Sequence, residues 1–292
     1  MPSSRIPAKV NAQAKSTTKK STARKPKPKN GKSRIWLWSF LVIFLLSALV
    51  YHYRYAILFY FSFYYKNAPQ SVTEAVEGER LHSILKQHPN KVLGIDVSQY
   101  QGNINWDEVR FVVDSVPVGF VFVRATAGAD FVDKQFLNNW RQISERGIAK
   151  GAYHFYRPNE PSTAQAELFI KTVKLQKGDL SPVLDIEHLP KIQSMERLKK
   201  GLKNWLEIVE KHYGVRPILY TGQHYFDTHL AADFPEYTYW IANYNSWVKA
   251  PQQHWTFWQF TEKGTVPGVD GSVDINLYNG TPKMLAYLRI RK

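Results

Sequence analysis

The chain has 292 residues, of which 44% are hydrophobic, and a formal net charge of +15 at pH 7. It contains no cysteine, which excludes disulfides, thiol nucleophiles and thiolate metal sites. The length and the apolar content suit one large domain or two small ones with packed cores. Residues 1–34 hold eleven Lys or Arg and no acid, which leaves +4 (15 minus 11) for the rest of the chain. The basicity therefore belongs to a tail.

That tail, residues 1–34, is rich in Ser, Thr, Pro, Ala and Lys and has almost no large apolar residue. Such a segment cannot bury enough surface to fold alone, so the composition predicts disorder. We expect the tail to lie in the cytoplasm and to bind anionic lipid head groups. We do not expect it to bind nucleic acid, because no aromatic residue interleaves with its charges.

Residues 35–54 are predicted to form a transmembrane anchor. The seventeen residues 35–51 carry no charge, which is the short end of what spans a bilayer as a helix, and Arg54 can reach the far interface. The basic tail then predicts a single-pass protein of the cytoplasmic membrane, with the N-terminus in the cytoplasm and the remainder outside. A cleaved signal peptide is the alternative, but its basic front is usually far shorter, and no clear small-x-small cleavage site precedes Tyr51.

Residues 55–90 are interpreted as a juxtamembrane aromatic segment followed by a stalk. The aromatic run 55–65 (YAILFYFSFYY) is too short for a second span and is expected to lie at the outer membrane surface or to prolong the helix. The polar stretch after it, of mixed charge, contains a possible short helix, Thr73 to Lys86. A folded catalytic domain is predicted for residues 91–292.

Within that domain, strand-like and helix-like segments alternate along the chain. This order predicts an α/β fold, a (β/α) barrel of eight strands. The later connections are short, so some outer helices should be missing. The predicted strands are 91–98, 120–126, 150–156, 181–187, 216–221, 237–244, 255–261 and 272–278. Residues 105–109 are predicted to start a first helix. Three further helices are predicted at 136–146, 162–175 and 193–213.

The fourth predicted strand ends in two carboxylates separated by one residue (SPVLDIE). Alternation along a strand places Asp185 and Glu187 on one face and Ile186 on the other. Their Cα atoms would lie roughly 6.6 Å apart, so each ionised group makes the other harder to ionise. A protonated carboxyl beside an ionised one is typical of general acid catalysis, and of glycosidic bond hydrolysis in particular. An edge-strand pair that faces solvent is the alternative interpretation.

Polar and aromatic residues recur where the other predicted strands end. In a parallel barrel these ends converge at one rim, although the residues are distant in sequence. Aromatic rings beside carboxylates suit a sugar-binding cleft, because sugar rings offer C–H faces for stacking and hydroxyls for hydrogen bonds. The residues at these ends are Asp96, Arg124, Tyr153 to Tyr156, Asp185 with Glu187, Tyr220, Trp240 to Asn243, Gln259 and Asp274.

Seven short blocks, in order, resemble glycoside hydrolase family 25. They are GIDVS (94–98), YHF (153–155), LDIE (184–187), LYT (219–221), WIANY (240–244), WQF (258–260) and VDIN (273–276). The resemblance covers about residues 91–280. It implies a lysozyme (N-acetylmuramidase) built on an irregular, flattened (β/α) barrel that cleaves the β-1,4 bond between N-acetylmuramic acid and N-acetylglucosamine in peptidoglycan.

The resemblance also implies the roles of individual residues. Glu187 would be the general acid and then the base. The one-residue spacing puts Asp185 on the same strand face, which favours a role in orienting the 2-acetamido group of the substrate, with a covalent nucleophile as the alternative. Asp96 and Asp274 would hold the sugar and tune the two central acids. No cofactor is implied. His154 is interpreted as a hydrogen-bonded wall residue, and no further ligands at metal spacing accompany His188, so we expect no metal. We also expect a monomer. The expected substrate-binding residues are Arg124, Tyr153, Phe155, Tyr220, Trp240, Asn243 and Gln259.

One block departs from the family pattern. Many members have Lys-Ala-Thr-Glu-Gly where this chain has Arg124 to Gly128 (RATAG), so Ala127 replaces a carboxylate. A catalytically silent barrel that binds peptidoglycan therefore stays as an alternative. A hydrolase of another N-acetylated amino sugar polymer is a second alternative, because it would keep the same acid and the same acetamido participation. No cell-wall-binding repeat is present in the sequence, which favours an anchored enzyme that remodels wall close to the membrane.

Overall fold

The computed structural model describes residues 31–54, 56–58, 60, 70–113, 116–245, 249–251 and 255–291. The chain divides into two compact units, residues 1–52 and residues 53–292. The predictions for the basic tail up to residue 30, and for most of the aromatic run 55–65, fall outside the described residues.

The first unit contains helix α1 (Gly31–His52). Its side chains from Ile35 to His52 are all exposed, although most of them are apolar. The segment Ile35–His52 is long and apolar enough to cross a membrane, a property that anchors share with signal sequences. The expected apolar helix is therefore present, and it begins four residues before the uncharged run.

The described residues of the second unit form eleven strands, eight of which make a barrel. In chain order the strands are β1 (Val92–Val97), β2 (Phe111–Val113), β3 (Val116–Pro117), β4 (Phe120–Ala127), β5 (Phe131–Val132), β6 (Ala149–Phe155), β7 (Val183–Asp185), β8 (Ile218–Gly222), β9 (Thr238–Ala242), β10 (Phe257–Gly264) and β11 (Val273–Tyr278).

The sheet closes because β1 pairs with β4 on one side and with β11 on the other. Around the barrel the order is β1, β4, β6, β7, β8, β9, β10, β11. The neighbours from β1 through β10 are parallel, whereas β11 is antiparallel to both β10 and β1. The eight-stranded barrel is confirmed, with one reversed strand that the alternating pattern had not indicated.

Large aromatic side chains fill the barrel interior. The rings of Phe122 and Trp240 stack with centroids 4.6 Å apart, and Phe257 meets Phe120 edge-on at 5.1 Å. A neighbouring strand needs a glycine where such a ring packs directly against its backbone. At Gly151 an added Cβ would lie 2.5 Å from the Phe122 ring, well inside van der Waals contact. These rings form the floor on which the polar groups of the rim rest.

Helices pack around the barrel, with contacts to β4, β6 and β10. In the second unit they are α2 (Gln70–Gln87), α3 (Phe136–Glu145), α4 (Ser162–Thr172), α5 (Met195–Tyr213), α6 (Gln223–Tyr225, continued by a π-helical turn Phe226–Leu230) and α7 (Pro282–Leu285). The described residues between β9 and β10, and all those between β10 and β11, contain no helix, as the short connections predicted.

Helix α5 shows why the amphipathic pattern was readable. Ser194 accepts a hydrogen bond from the Arg197 amide at its N-terminus, and Gly214 ends the helix with a left-handed φ of 71°. Between them Leu198, Leu202, Trp205, Leu206 and Val209 are buried at helical spacing against the barrel.

Two segments differ from the predictions. Residues 105–109 form turns rather than a helix start, because the Asn105 side chain accepts from the Asp107 amide and the chain continues into the β2–β3 hairpin. The helix expected within a stalk is α2, and it is longer than predicted. Its residues Val76, Leu81 and Ile84 are buried, and the helix packs against β10.

Candidate active site

A cavity of about 230 Å³ opens at the rim where β1, β4, β6, β7, β8, β9 and β10 end. Ten of the eleven predicted site residues line it: Asp96, Arg124, Tyr153, Phe155, Asp185, Glu187, Tyr220, Trp240, Gln259 and Asp274. The exception is Asn243, which lines an adjoining cavity of about 770 Å³. The two cavities share a wall that includes Glu187, Tyr220, Tyr244 and Glu262.

The central pair lies as the alternation along its strand predicted. Asp185 and Glu187 both line the smaller cavity, while Ile186 between them is fully buried on the opposite side. The backbone stays in strand-like pairing beyond the end of β7, because the Ile186 amide donates to the Tyr220 carbonyl at 3.0 Å. The alternative of a solvent-facing edge pair is wrong, since β7 is paired on both sides.

Asp185 is 5% exposed, and its Oδ1 has no hydrogen-bond partner among the described residues. Burial raises the pKa of Asp185 well above its usual range, and the charges of Glu187 and Asp96 raise it further. Such an oxygen is costly to leave unpaired in a protein interior. It is placed to pair with a group that enters the cavity.

Glu187 faces the open side of the cavity and is exposed at its mouth. Partial burial against the protein raises the pKa of Glu187, although the neighbouring His188 acts in the opposite direction. A carboxyl with a raised pKa that a ligand can reach is suited to donate a proton near neutral pH.

Asp96 and Asp274 face each other across the β1–β11 ladder. Asp96 Oδ2 accepts from Gln259 Nε2 and from Asn276 Nδ2, both at 2.8 Å. Burial raises the pKa of Asp96 to about 6 against these donors, and burial together with the Asp96 charge raises the pKa of Asp274 to about 9. The two carboxyls therefore hold one proton between them at neutral pH.

The position of Asp274 corrects one detail of the prediction. It lies at the start of β11, not at the end of a strand. Because β11 is antiparallel to its neighbours, its first residues reach the rim where β1 ends. The residue belongs to the site for a different geometric reason from the one that the sequence suggested.

Several residues of the site were missed. Asn276 is fully buried and connects Asp96 to the indole of Trp240, whose Nε1 donates to Asn276 Oδ1 at 2.7 Å. Since Asn276 follows Asp274 by two residues on the same strand, alternation could have placed it on the site face. Tyr100, Gln101 and Glu262 also line the cavity outside every motif block, and so does Tyr244, which ends the block 240–244 but was not predicted as a site residue.

Gln259 connects two walls of the site. Its Oε1 accepts from the hydroxyl of Tyr220 at 2.7 Å and from that of Tyr244, while its Nε2 donates to Asp96. All three partners line the cavity. The amide is thereby fixed in one orientation, and it can only donate towards the carboxylate.

Arg124 provides a positive charge on another side of the cavity. Its Nε donates to Asp133 Oδ2 at 2.8 Å, and its guanidinium carbon lies 4.7 Å from the centre of the exposed Tyr100 ring. Asp133 is a missed residue that holds Arg124 in place. Ala127, in contrast, is buried and is not among the residues that line the cavity.

His154 makes structural hydrogen bonds behind the wall of the cavity. His154 is fully buried on the outer side of β6, where its Nδ1 bonds with Thr126 Oγ1 at 2.7 Å and its Nε2 with Gln165 Oε1 at 3.0 Å. Burial lowers the pKa of His154 to about 4. Within the part of the chain that the structure describes, no cluster of three or more potential metal ligands occurs.

Comparisons with known proteins agree with this geometry. The family model for glycosyl hydrolases family 25 matches residues 95–269. Lysozyme M1 of Streptomyces globisporus is 36% identical over 217 residues, which cover 68% of this chain and 71% of that protein. The crystal structure of the bacterial lysozyme from Streptomyces coelicolor is 32% identical, with a TM-score of 0.62, over 69% of this chain and 98% of that one.

A family 25 glycosyl hydrolase from Bacillus anthracis has a similar structure. It is 32% identical, with a TM-score of 0.61, over 68% of this chain and 93% of that one. The range that the family model matches runs from within β1 to the segment after β10 and includes Asp96, Asp185 and Glu187.

Proposed function

Because the chain belongs to the glycosyl hydrolases family 25, we propose that it is an N-acetylmuramidase that cleaves the β-1,4 bond between N-acetylmuramic acid and N-acetylglucosamine. The similarity to lysozymes of this family supports hydrolysis of peptidoglycan as the activity of this chain. The observation that carries the finer proposal is the pair Asp185 and Glu187 in one cavity with aromatic walls.

Glu187 is proposed to act first as the acid. Burial raises its pKa and so favours the protonated form, and the carboxyl faces the open side of the cavity, where the glycosidic oxygen would lie. It would donate that proton to the leaving oxygen as the glycosidic bond breaks. The resulting carboxylate would then remove a proton from the water that completes hydrolysis.

Asp185 is proposed to orient the substrate rather than to attack it. Its unpaired Oδ1 can accept the N–H of the 2-acetamido group of N-acetylmuramic acid. The acetamido oxygen would form a bond to the anomeric carbon while the bond to the leaving oxygen breaks, which gives a cyclic oxazolinium ion. Water would then open this ion with net retention at the anomeric carbon. A covalent sugar trapped on Asp185 would refute this assignment.

The remaining lining residues are proposed to hold the sugar. Asp96 and Asp274 share a proton and can accept and donate hydrogen bonds at sugar hydroxyls. The aromatic side chains offer flat faces and hydroxyls to the ring. This group comprises Tyr153, Phe155, Tyr220 and Trp240, with Arg124 and Gln259 beside them and Asn243 in the adjoining cavity.

We also propose that α1 anchors the enzyme in the cytoplasmic membrane, with the barrel outside. The apolar segment Ile35–His52 and the eleven positive charges in residues 1–34 support this orientation. An anchored monomer reaches only wall close to the membrane, so its role would be remodelling of peptidoglycan. No specific observation favours a silent barrel, because Ala127 does not line the cavity.

The test uses the full-length protein in detergent micelles with purified peptidoglycan. The parent is expected to release muropeptides that end in reducing N-acetylmuramic acid, and Glu187→Gln is expected to lose at least about 100-fold of that rate. Glu145→Gln, an exposed carboxylate on the outer helix α3, is the matched control. Mass spectrometry of the reducing ends reads the bond that was cut.

Each outcome of that test has a distinct meaning. Reducing N-acetylglucosamine ends would refute the muramidase and indicate the other bond of the polymer. Release of products from a chitin-like chain alone would support the alternative substrate. Binding of peptidoglycan without any product, by both the parent and Glu187→Gln, would support the silent barrel.

A further inference from the structure

Helix α2 lies outside residues 95–269, the part of the chain that matches the family. It nevertheless contributes buried residues to the catalytic unit. Leu81 and Ile84 belong to the hydrophobic core that surrounds the barrel, and the helix packs against β10. A segment that only connected an anchor to an enzyme would not need such contacts.

Arg80 is the polar centre of this contact. It is 4% exposed, and its guanidinium donates to two backbone carbonyls, Nη1 to Asn245 and Nη2 to Phe260, both at 2.7 Å. The Nε lies 3.4 Å from a carboxylate oxygen of Glu77 on the same helix. Burial of a guanidinium is costly unless it is paired, and a planar fork can hold two acceptors in fixed relative positions.

The two carbonyls belong to different parts of the cleft wall. Asn245 follows Tyr244, and Phe260 precedes Glu262 by two residues on β10. Tyr244 and Glu262 line both the small cavity with the carboxylates and the adjoining larger one. Arg80 therefore joins the segment after β9 to β10 from behind the wall that separates the two cavities.

This wall is also connected to the carboxylates. The Tyr244 hydroxyl donates to Gln259, which in turn donates to Asp96 at 2.8 Å. On the outer side, the Asn245 side chain donates to Asn243 Oδ1 at 3.0 Å, and Asn243 lines the larger cavity. A shift of residues 243–245 would therefore change the shape of the larger cavity directly. It would also disturb the hydrogen bonds that reach Asp96 through Tyr244 and Gln259.

We propose that Arg80 is a positioning residue for the polymer cleft, so that the helix preceding the barrel forms part of the substrate-binding apparatus. The ligand class is a glycan that extends beyond the cleaved bond into the larger cavity. This inference rests on the proposed function for its kinetic readout. Its structural readout, the exchange of backbone amides in the wall, does not depend on activity.

The test replaces the guanidinium without leaving an unpaired charge. The variant Glu77→Gln/Arg80→Met is compared in full-length protein in micelles with Glu77→Gln alone and with Ile84→Ala. The Ile84 substitution weakens the packing of α2 but keeps both hydrogen bonds to the wall. Hydrogen–deuterium exchange is measured for peptides covering residues 240–245 and 257–264, and kinetics are measured on polymeric peptidoglycan.

The double variant is expected to raise KM for the polymer about tenfold with kcat within about twofold of the parent. Exchange in residues 243–245 is expected to become at least about tenfold faster, because the Asn243 amide bonds to the Gln259 carbonyl within this wall. Glu77→Gln and Ile84→Ala should show neither effect, and Arg80→Lys should recover part of the loss.

Two results would overturn the proposal. One is unchanged exchange in residues 243–245 of the double variant, and the other is an effect equal to that of Ile84→Ala at matched stability. If the parent itself cleaves no glycan, the proposed function fails, and the exchange measurement still decides whether Arg80 holds the wall.

Discussion

The proton shared by Asp96 and Asp274 makes the stability of the folded protein depend on pH. Asp274→Asn removes the titrating carboxyl but keeps a side chain of the same shape, whose amide can donate to Asp96. In the parent, the pKa of Asp274 rises from 3.8 to about 9 on folding, because of burial first and the Asp96 charge second. The unfolded chain therefore releases this proton at acidic pH, and the folded chain keeps it to about pH 9.

Between these two values the folded state binds one proton more than the unfolded state at this position. Stability then falls as pH rises, by about 1.4 kcal/mol per pH unit for each such proton. From about pH 5 to about pH 8 this amounts to roughly 4 kcal/mol. The contribution is fully present below the unfolded pKa and is lost as pH approaches the folded one. Asp274→Asn cannot titrate and lacks this slope.

Urea denaturation followed by tryptophan fluorescence measures the difference, at about pH 5, 6.5 and 8. The free energy of unfolding of Asp274→Asn, relative to the parent, is expected to increase by about 1.4 kcal/mol with each pH unit. Asp270→Asn, an exposed carboxyl before β11, is the control. Parallel curves for the parent and Asp274→Asn would refute the shared proton, because Asp274 would then bind no extra proton in the folded state.

Two further predictions concern packing and the acid. Gly151→Ala places a methyl 2.5 Å from the Phe122 ring and should destabilise the protein by about 1–3 kcal/mol. Gly222→Ala is the control, because its Cβ would meet open space and its φ is −71°, so its free energy of unfolding should change little. Urea denaturation compares the two variants, and equal free energies of unfolding would refute the tight packing of the barrel interior. Activity should be lost as pH rises through the raised pKa of Glu187, because only the protonated form donates. Glu262→Gln removes a charge that raises this pKa and should move the loss to lower pH in a pH–kcat/KM profile, where an unmoved limb would exclude Glu187 as the titrating acid.

The eight strands and the position of the central pair could be predicted because each depends on the sequence pattern of one short segment. The side chains from Val183 to Glu187 point alternately to the two faces of the strand, and this alternation does not depend on the neighbouring strands. The sequence alone therefore placed Asp185 and Glu187 on the same face. The α5 helix was readable for the same reason, since its apolar residues repeat at helical spacing between Ser194 and Gly214.

The structure differs from the predictions where contacts with other parts of the chain determine the local structure. The direction of β11 depends on its partners β1 and β10, and no residue within Val273–Tyr278 specifies it. The turns after Asn105 form because the side chain caps them, although the residues tolerate a helix. Helix α2 was recognised, but its docking was not, because the carbonyls that Arg80 binds lie 165 and 180 residues later in the chain.

The pairing of β1 with β11 has a consequence for synthesis and folding. The barrel closes, and Asp274 meets Asp96, only when strands about 180 residues apart come together. Such a contact carries a loop-closure cost and cannot form before β11 has been synthesised. The cavity is therefore incomplete until Asp274 has joined Asp96. A chain that stopped before β11 would lack Asp274, and with it one of the carboxyls proposed to hold the sugar.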